Sequence, residues 1–148
     1  MKLKRYLIVL LALAGAVVSV LALRVHDSTG TEPCSINERW DCRIVNHSSF
    51  SVIGHVPVAV IGAVGYLIPT GLAFARQRFL LFLATLIGFG FALRLTFIEE
   101  YVLQVWCLYC VISQAIIALI TLLSRGWLAA EYIALKRTSR ALSASLKG

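Results

Sequence analysis

Four apolar runs of about twenty residues organise the chain, and each is bounded by charged or turn-forming residues. They cover 6–23 ("YLIVLLALAGAVVSVLAL"), 56–75 ("VPVAVIGAVGYLIPTGLAFA"), 79–98 ("FLLFLATLIGFGFALRLTFI") and 102–123 ("VLQVWCLYCVISQAIIALITLL"). A run of about twenty apolar residues matches the bilayer core when helical. The pattern predicts an all-α membrane protein, a four-helix transmembrane bundle over 1–123. A long extracytoplasmic loop over 24–55 separates the first two helices, and a basic tail covers 124–148. "MKLKR" before the first run looks like the start of a signal peptide. The run is longer than a usual signal core, and "LALRVHD" offers no small-x-small cleavage site, so the segment reads as a retained span.

Local residues refine the helices. Pro57 suits the first turn of the second helix, where a missing N–H costs nothing. Pro69 lies inside that helix and is expected to kink it. Gly62, Gly65, Gly88 and Gly90 are expected to let helices approach closely. Tyr101, Trp106, Trp127 and Tyr132 fall near predicted interfaces, where aromatic belts form. Arg94 is the one charge inside a span. It lies near the outer end of its helix, able to snorkel or to pair with Glu99 or Glu100. In the loop, a short capping helix is expected around 48–55.

Composition agrees with this plan. Of the 148 residues, 59% are hydrophobic, and the mean hydropathy is +0.86. Soluble domains sit near ~45–50% apolar. The net charge of +7 is not that of a nucleic-acid binder, because the basic residues flank apolar spans instead of lining an aromatic-studded groove. Their placement sets the orientation. With the N-terminus inside, the inner segments hold Lys2, Lys4, Arg5, Arg76, Arg78, Arg125, Lys136, Arg137, Arg140 and Lys147 against Glu131 alone. The outer segments hold Arg24, Arg39, Arg43 and Arg94 against Asp27, Glu32, Glu38, Asp41, Glu99 and Glu100. Both termini are therefore expected in the cytoplasm. The tail, with its amphipathic start "WLAAEYIALKR", is expected to rest on the anionic inner leaflet and then fray.

The candidate chemistry lies in four cysteines, all on the predicted outer, oxidising side. Cys107 and Cys110 form a C-x-x-C at the mouth of the last span. The first thiol sits where unsatisfied helix N–H groups stabilise a thiolate, and the second lies one turn further in, facing the apolar region. A lipid-soluble acceptor such as a quinone reaches that thiol; a soluble protein does not. Cys34 and Cys42, in "CSINERWDC", form a second pair in the loop, suited to exchange with a partner protein. Ile36 and Trp40 would let the loop lie on the membrane over the C-x-x-C. Two other readings stand beside this one. Both pairs can be structural bridges, although a three-residue spacing on a helix staples a segment already ordered. The four cysteines, with His47 or His55, can also bind zinc, although metal sites want reduced thiolates. Either reading would make a non-enzymatic membrane protein.

Four spans, a loop pair Cys34 and Cys42 eight apart, Ser48 six residues after the second, and Cys107-x-x-Cys110 opening the last span together resemble the vitamin K epoxide reductase family. "GHVPVAVIGAVGYL" also resembles the second span of its prokaryotic branch, which points to the bacterial cytoplasmic membrane over the endoplasmic reticulum. The resemblance covers about 6–123. It implies that Cys34 exchanges with a thioredoxin-like partner, that Cys42 pairs with Cys34 at rest and exchanges with Cys107, and that Cys110 faces the quinone. Ser48 falls where the family has a loop serine near the quinone. The tyrosine that animal members carry four residues after the last cysteine is Gln114 here, one turn below Cys110, with an amide able to donate to a quinone carbonyl. The second-span asparagine of animal members has no counterpart. The implied function is a quinone-dependent thiol–disulfide oxidoreductase supporting disulfide formation, with a menaquinone, ubiquinone or vitamin K type quinone as co-substrate and no metal. Its thioredoxin-like partner would be a separate chain. The variant reading is a vitamin K quinone or epoxide reductase.

Overall fold

The computed structural model describes residues 2–28, 30 and 34–145. Of the charges counted above, Glu32 and Lys147 lie outside the described residues, as does the end of the tail. Helix α1 (Lys2–Asp27) leads into a small outer layer: strands β1 (Ser35–Asn37) and β2 (Trp40–Asp41), helix α2 (Cys42–Asn46), a 3-10 turn (Ser49–Ser51), and strands β3 (Val52–Ile53) and β4 (Val56–Pro57). Helices α3 (Val58–Phe74) and α4 (Arg78–Ile98) follow, then a π turn (Glu99–Leu103) and helix α5 (Leu108–Ser145).

The four long helices pack as α1 on α3 and α5, and α4 on α5 and α3. Their shared core holds Ile8, Ala12, Tyr66, Ala73, Leu81, Ile117, Ile120 and Trp127. Close approach is set by small residues. A Cβ at Gly15 would run into the Tyr66 ring, and one at Gly62 would meet Ser19 Oγ at 3.0 Å. Gly88 packs on Ile117, whereas Gly65 and Gly90 face open space; the expectation of close packing holds for Gly62 and Gly88 and fails for the other two. Many large apolar side chains point outward, among them Leu10, Leu67, Ile87 and Leu122, as lipid contact requires.

Helices α1, α4 with its π turn, and α5 are long and apolar enough to cross a bilayer. Helix α3 is apolar but shorter, at 17 residues. Its expected first residues, Val56 and Pro57, are taken by the β3–β4 hairpin, which turns through Gly54 and His55. Both have positive φ, 56° and 70°, as a two-residue primed turn demands. Pro57 is thus the N-cap of α3 and not a first-turn residue.

Other boundaries differ from expectation. The short helix of the outer layer lies at Cys42–Asn46, ahead of 48–55, which holds only the 3-10 turn and β3 before the Gly54–His55 turn. Asp41 moves it forward by accepting from the N–H groups of Arg43 and Ile44, an N-cap placed directly before Cys42. The last helix starts at Leu108, so 102–107 is not its first turn. Helix α5 runs on to Ser145 through an Ala-, Leu-, Lys- and Arg-rich stretch of high helix propensity, where fraying was expected. Trp127 is buried in the core beneath the Arg78 guanidinium, 5.1 Å from the ring centre, and is no belt residue. Arg94 is exposed, and its expected partners are engaged elsewhere: Glu100 with Arg39, and Glu99 with Cys107.

Candidate active site

The outer layer folds the two cysteine pairs into one cluster. Cys34 and Cys42 are joined by a disulfide, with Cα atoms 5.7 Å apart. The bridge packs with Cys107, Val25 and Val45 in a buried apolar nest, against which Leu108 and Cys110 also lie. Cys34, Cys42 and Cys107 are almost wholly buried. Cys107 and Cys110 are free thiols.

Backbone pairing brings the elements together. The N–H of Asp41 donates to the Trp106 carbonyl at 3.1 Å, and that of Trp106 donates to the Arg39 carbonyl at 2.8 Å. These two bonds lay 105–107 beside β2 and set Trp40 against Trp106, with tilted rings whose centres are 6.1 Å apart. Cys42, next after β2, and Cys107, next after Trp106, thereby arrive in the same nest. Trp40 is thus half-buried against Trp106, while Ile36 is exposed.

Two residues outside the sequence-based set hold the thiols. Asn46, buried on α2 one turn after Cys42, donates from Nδ2 to the Cys42 carbonyl at 2.8 Å and to Cys107 Sγ at 3.6 Å. Glu99, 2% exposed, accepts from the Cys107 N–H through Oε2 at 3.1 Å. The spacing 42–46 puts Asn46 on the cysteine's face of a helix, a signal readable once α2 is placed. Glu99 carried no signal beyond being an acid at the end of an apolar run.

Below the nest, a cavity of about 380 Å³ opens between α1, α3, α4 and α5. Its walls are mainly aliphatic and aromatic. Asn46 and Ser48 line it from the outer layer, Glu99 from the π turn, and Tyr66, Cys110 and Ser113 from the helices. The Tyr66 hydroxyl bonds Ser113 Oγ and donates to the Ser113 carbonyl, each at 2.8 Å. Ser48 donates to the Val45 carbonyl at 2.7 Å, leaving its oxygen lone pairs for a further partner. Gln114 stands apart: it is not among the lining residues, and its amide oxygen accepts from Thr96, which is. Its amide is therefore turned to α4 and not into the cavity.

The histidines sit at the edge. His26 and His47 stack with ring centres 5.9 Å apart, and His26 Nδ1 bonds the Asn46 carbonyl. His55 is exposed in the hairpin turn. Among the described residues, no group of three or more His, Cys, Asp or Glu side chains is placed to hold a metal ion.

The arrangement supplies a disulfide, a buried thiol beside it, and a second thiol facing a mainly apolar cavity. The family model described as "Vitamin K epoxide reductase family" matches residues 6–125. No curated protein matches the chain.

Proposed function

The chain belongs to the vitamin K epoxide reductase family, and from that membership we propose a quinone-dependent thiol oxidoreductase of the bacterial cytoplasmic membrane. Family and long apolar helices together make it an integral membrane oxidoreductase. The finer reading is that it reoxidises a separate thioredoxin-like protein on the outer face and passes the electrons to a quinone. Four helices cross the membrane with both termini inside, as the basic residues at the inner ends favour. The 124–148 tail follows the four-span domain on the cytoplasmic side.

Four cysteines carry the relay. A partner thiolate attacks the Cys34–Cys42 bridge at Cys34, and Cys42 leaves as thiolate; the partner's second thiolate then breaks the partner–Cys34 bond, which leaves the partner oxidised and frees Cys34 as thiolate. Cys42 then attacks Cys107 of an oxidised Cys107–Cys110 pair and releases Cys110. Cys34 resolves the Cys42–Cys107 mixed disulfide, which restores the loop bridge and leaves Cys107 and Cys110 reduced. These two thiols give two electrons and two protons to the quinone, which becomes quinol. The bridge at Cys34–Cys42 and the free thiols at Cys107 and Cys110 fit the state just before that last step.

The observation that carries the reading is the shared nest. The loop bridge touches Cys107 on one side, and Cys110 faces the cavity on the other. The cavity falls within the ~300–1,000 Å³ of small-molecule sites, and its apolar walls with a few hydroxyls suit a quinone ring. Ser48 and the Tyr66 hydroxyl are the head-group contacts, with oxygens that accept from a quinol O–H while their own protons go to backbone carbonyls, and Gln114 acts indirectly by holding Thr96.

Quinone absorbance over time, in detergent with a dithiol donor, tests the proposal. Turnover with a menaquinone or ubiquinone analogue that vanishes in Cys110→Ala supports it. No turnover with either, together with cysteines that resist mild reduction, would sink it in favour of structural bridges.

A further inference from the structure

Among the described residues, Glu99 is the one acid buried in the outer half of the bundle, and nothing in the cysteine relay uses it. It is 2% exposed. Among the described residues neither ion pair involves it; Arg39 takes Glu100 and Arg78 takes Glu131. A buried carboxyl without a cation is costly, so its place needs a reason. Its Oε2 accepts from the Cys107 N–H, and it lines the cavity together with Cys110.

The backbone is bent to put it there. Glu99 opens a π turn, an insertion often found at functional sites. Its carbonyl accepts from the N–H groups of Gln104 and Val105. Gln104 sits in the left-handed region with φ 54°, a conformation that costs a non-glycine residue energy. The chain thus closes a loop on Glu99 and returns Cys107 to its carboxylate.

We propose that Glu99 is the proton carrier of this site, taking the Cys110 thiol proton and handing it to a quinone oxygen. The step balances with the quinone as oxidant. The Cys107 and Cys110 S–H bonds break, one S–S bond forms, and two electrons reach the quinone. Two protons reach its oxygens, one of them by way of Glu99, which ends each turnover in the protonation state in which it began. A carboxyl held at Cys107 and lining the same cavity as Cys110 suits this task, because proton transfer needs hydrogen-bond reach, direct or through one water. The titratable and charged groups around it are Cys107 and Cys110 from the α5 side, Glu100 with its Arg39 partner beside it, and Arg94 outward on α4.

The inference rests on the quinone-reductase reading, and the test separates the two. Dithiol-driven quinone reduction is measured across pH for the wild type, Glu99→Gln, Glu99→Asp and Cys110→Ala. Glu99→Gln keeps an acceptor for the Cys107 N–H and loses the transferable proton. The expected result is a kcat lower by about 10²–10⁴-fold with quinone KM little changed, and loss of one limb of the pH profile. Glu99→Asp should recover part of kcat with that limb displaced. A Glu99→Gln protein with wild-type kcat and profile overturns the proposal, while turnover lost in Cys110→Ala leaves the quinone-reductase reading standing. A fall in kcat with an unchanged profile shape, not recovered by Asp, also overturns it, since that marks a structural role. If Glu99→Gln does not fold, Glu99→Asp decides: a displaced limb supports the carrier and an unmoved one overturns it. Turnover that survives in Cys110→Ala refutes the quinone-reductase reading itself and the carrier with it.

Discussion

The side-chain amide of Asn46 donates to the sulfur of Cys107 across 61 residues of chain, at 3.6 Å. The same amide holds the Cys42 carbonyl, so one group orients both sulfur-bearing segments of the exchange. A donor aimed at a sulfur favours the thiolate over the thiol, and the thiolate is both nucleophile and better leaving group. Asn46→Leu keeps the branched heavy-atom shape and removes both bonds. A hydrogen bond to a charged group contributes about 1.5–3 kcal/mol, so dithiol-driven turnover should fall roughly tenfold or more, with quinone KM unchanged. A KM change with constant kcat would place Asn46 in quinone binding instead.

Much of this arrangement can be read from the chain. The apolar runs predict the long helices, and the cysteine spacing with its outer placement predicts which residues meet. The missing part is what long-range pairing decides. Residues 102–107 look helical, being apolar and continuous with α5. Residues 104–107 break from helix because Trp106 pairs with the backbone of Arg39 and Asp41, a contact between segments some 65 residues apart that no local propensity records. Glu99 looked like an outer acid for the same reason: only the π turn folds it inward. Asn46 hid in a segment whose helix was expected a few residues later. Gln114 was placed correctly one turn below Cys110, but its amide is turned by Thr96, a partner on another helix.

Gly15 and Tyr66 meet where α1 crosses α3, and a methyl group at Gly15 would force the ring to shift. Tyr66 also borders the cavity. Overpacking of this kind costs about 1–3 kcal/mol. Gly15→Ala should lower the unfolding midpoint in detergent and raise quinone KM, because the displaced ring moves toward the cavity. Tyr66→Phe should cost less, about 1 kcal/mol for a lost hydrogen bond. An equal and larger loss in both would mean that the hydroxyl, not the ring, sets this crossing.

Asp41 carries the acid dependence of the loop. Its carboxyl is held below the usual carboxylate range, first by the Ser35 hydroxyl, which donates at 2.7 Å. Partial burial opposes this, and the Arg43 and Ile44 N–H groups and the Arg43 charge add to it. A depressed folded-state value means that the stabilisation is complete above the unfolded value, about 3.9. It is lost as pH falls through the lower folded value. The Cys34–Cys42 bridge should therefore keep a constant susceptibility to an acid-tolerant phosphine reductant from neutral pH to about 5, then open faster below about 4. Asp41→Ala should cost about 0.5–2 kcal/mol as a lost N-cap and abolish the acid step. A step that persists in this variant would have to come from another group.

The order of the relay predicts different losses for different donors. Cys34 is buried with Cys42 in the nest, and the proposed protein partner must enter through it. Cys34→Ala removes the bridge that covers Cys107, so a small dithiol can reduce the inner pair directly. Turnover with a thioredoxin-like donor should be abolished, while turnover with dithiothreitol should survive within about tenfold, the loss reflecting a bimolecular step in place of an oriented one. Cys110→Ala should lose both activities, since no thiol then faces the cavity. The measurement is quinol formation for each variant with each donor. Equal loss in Cys34→Ala with both donors would reverse the order, making the loop pair an obligatory neighbour of the quinone and not its outer supply.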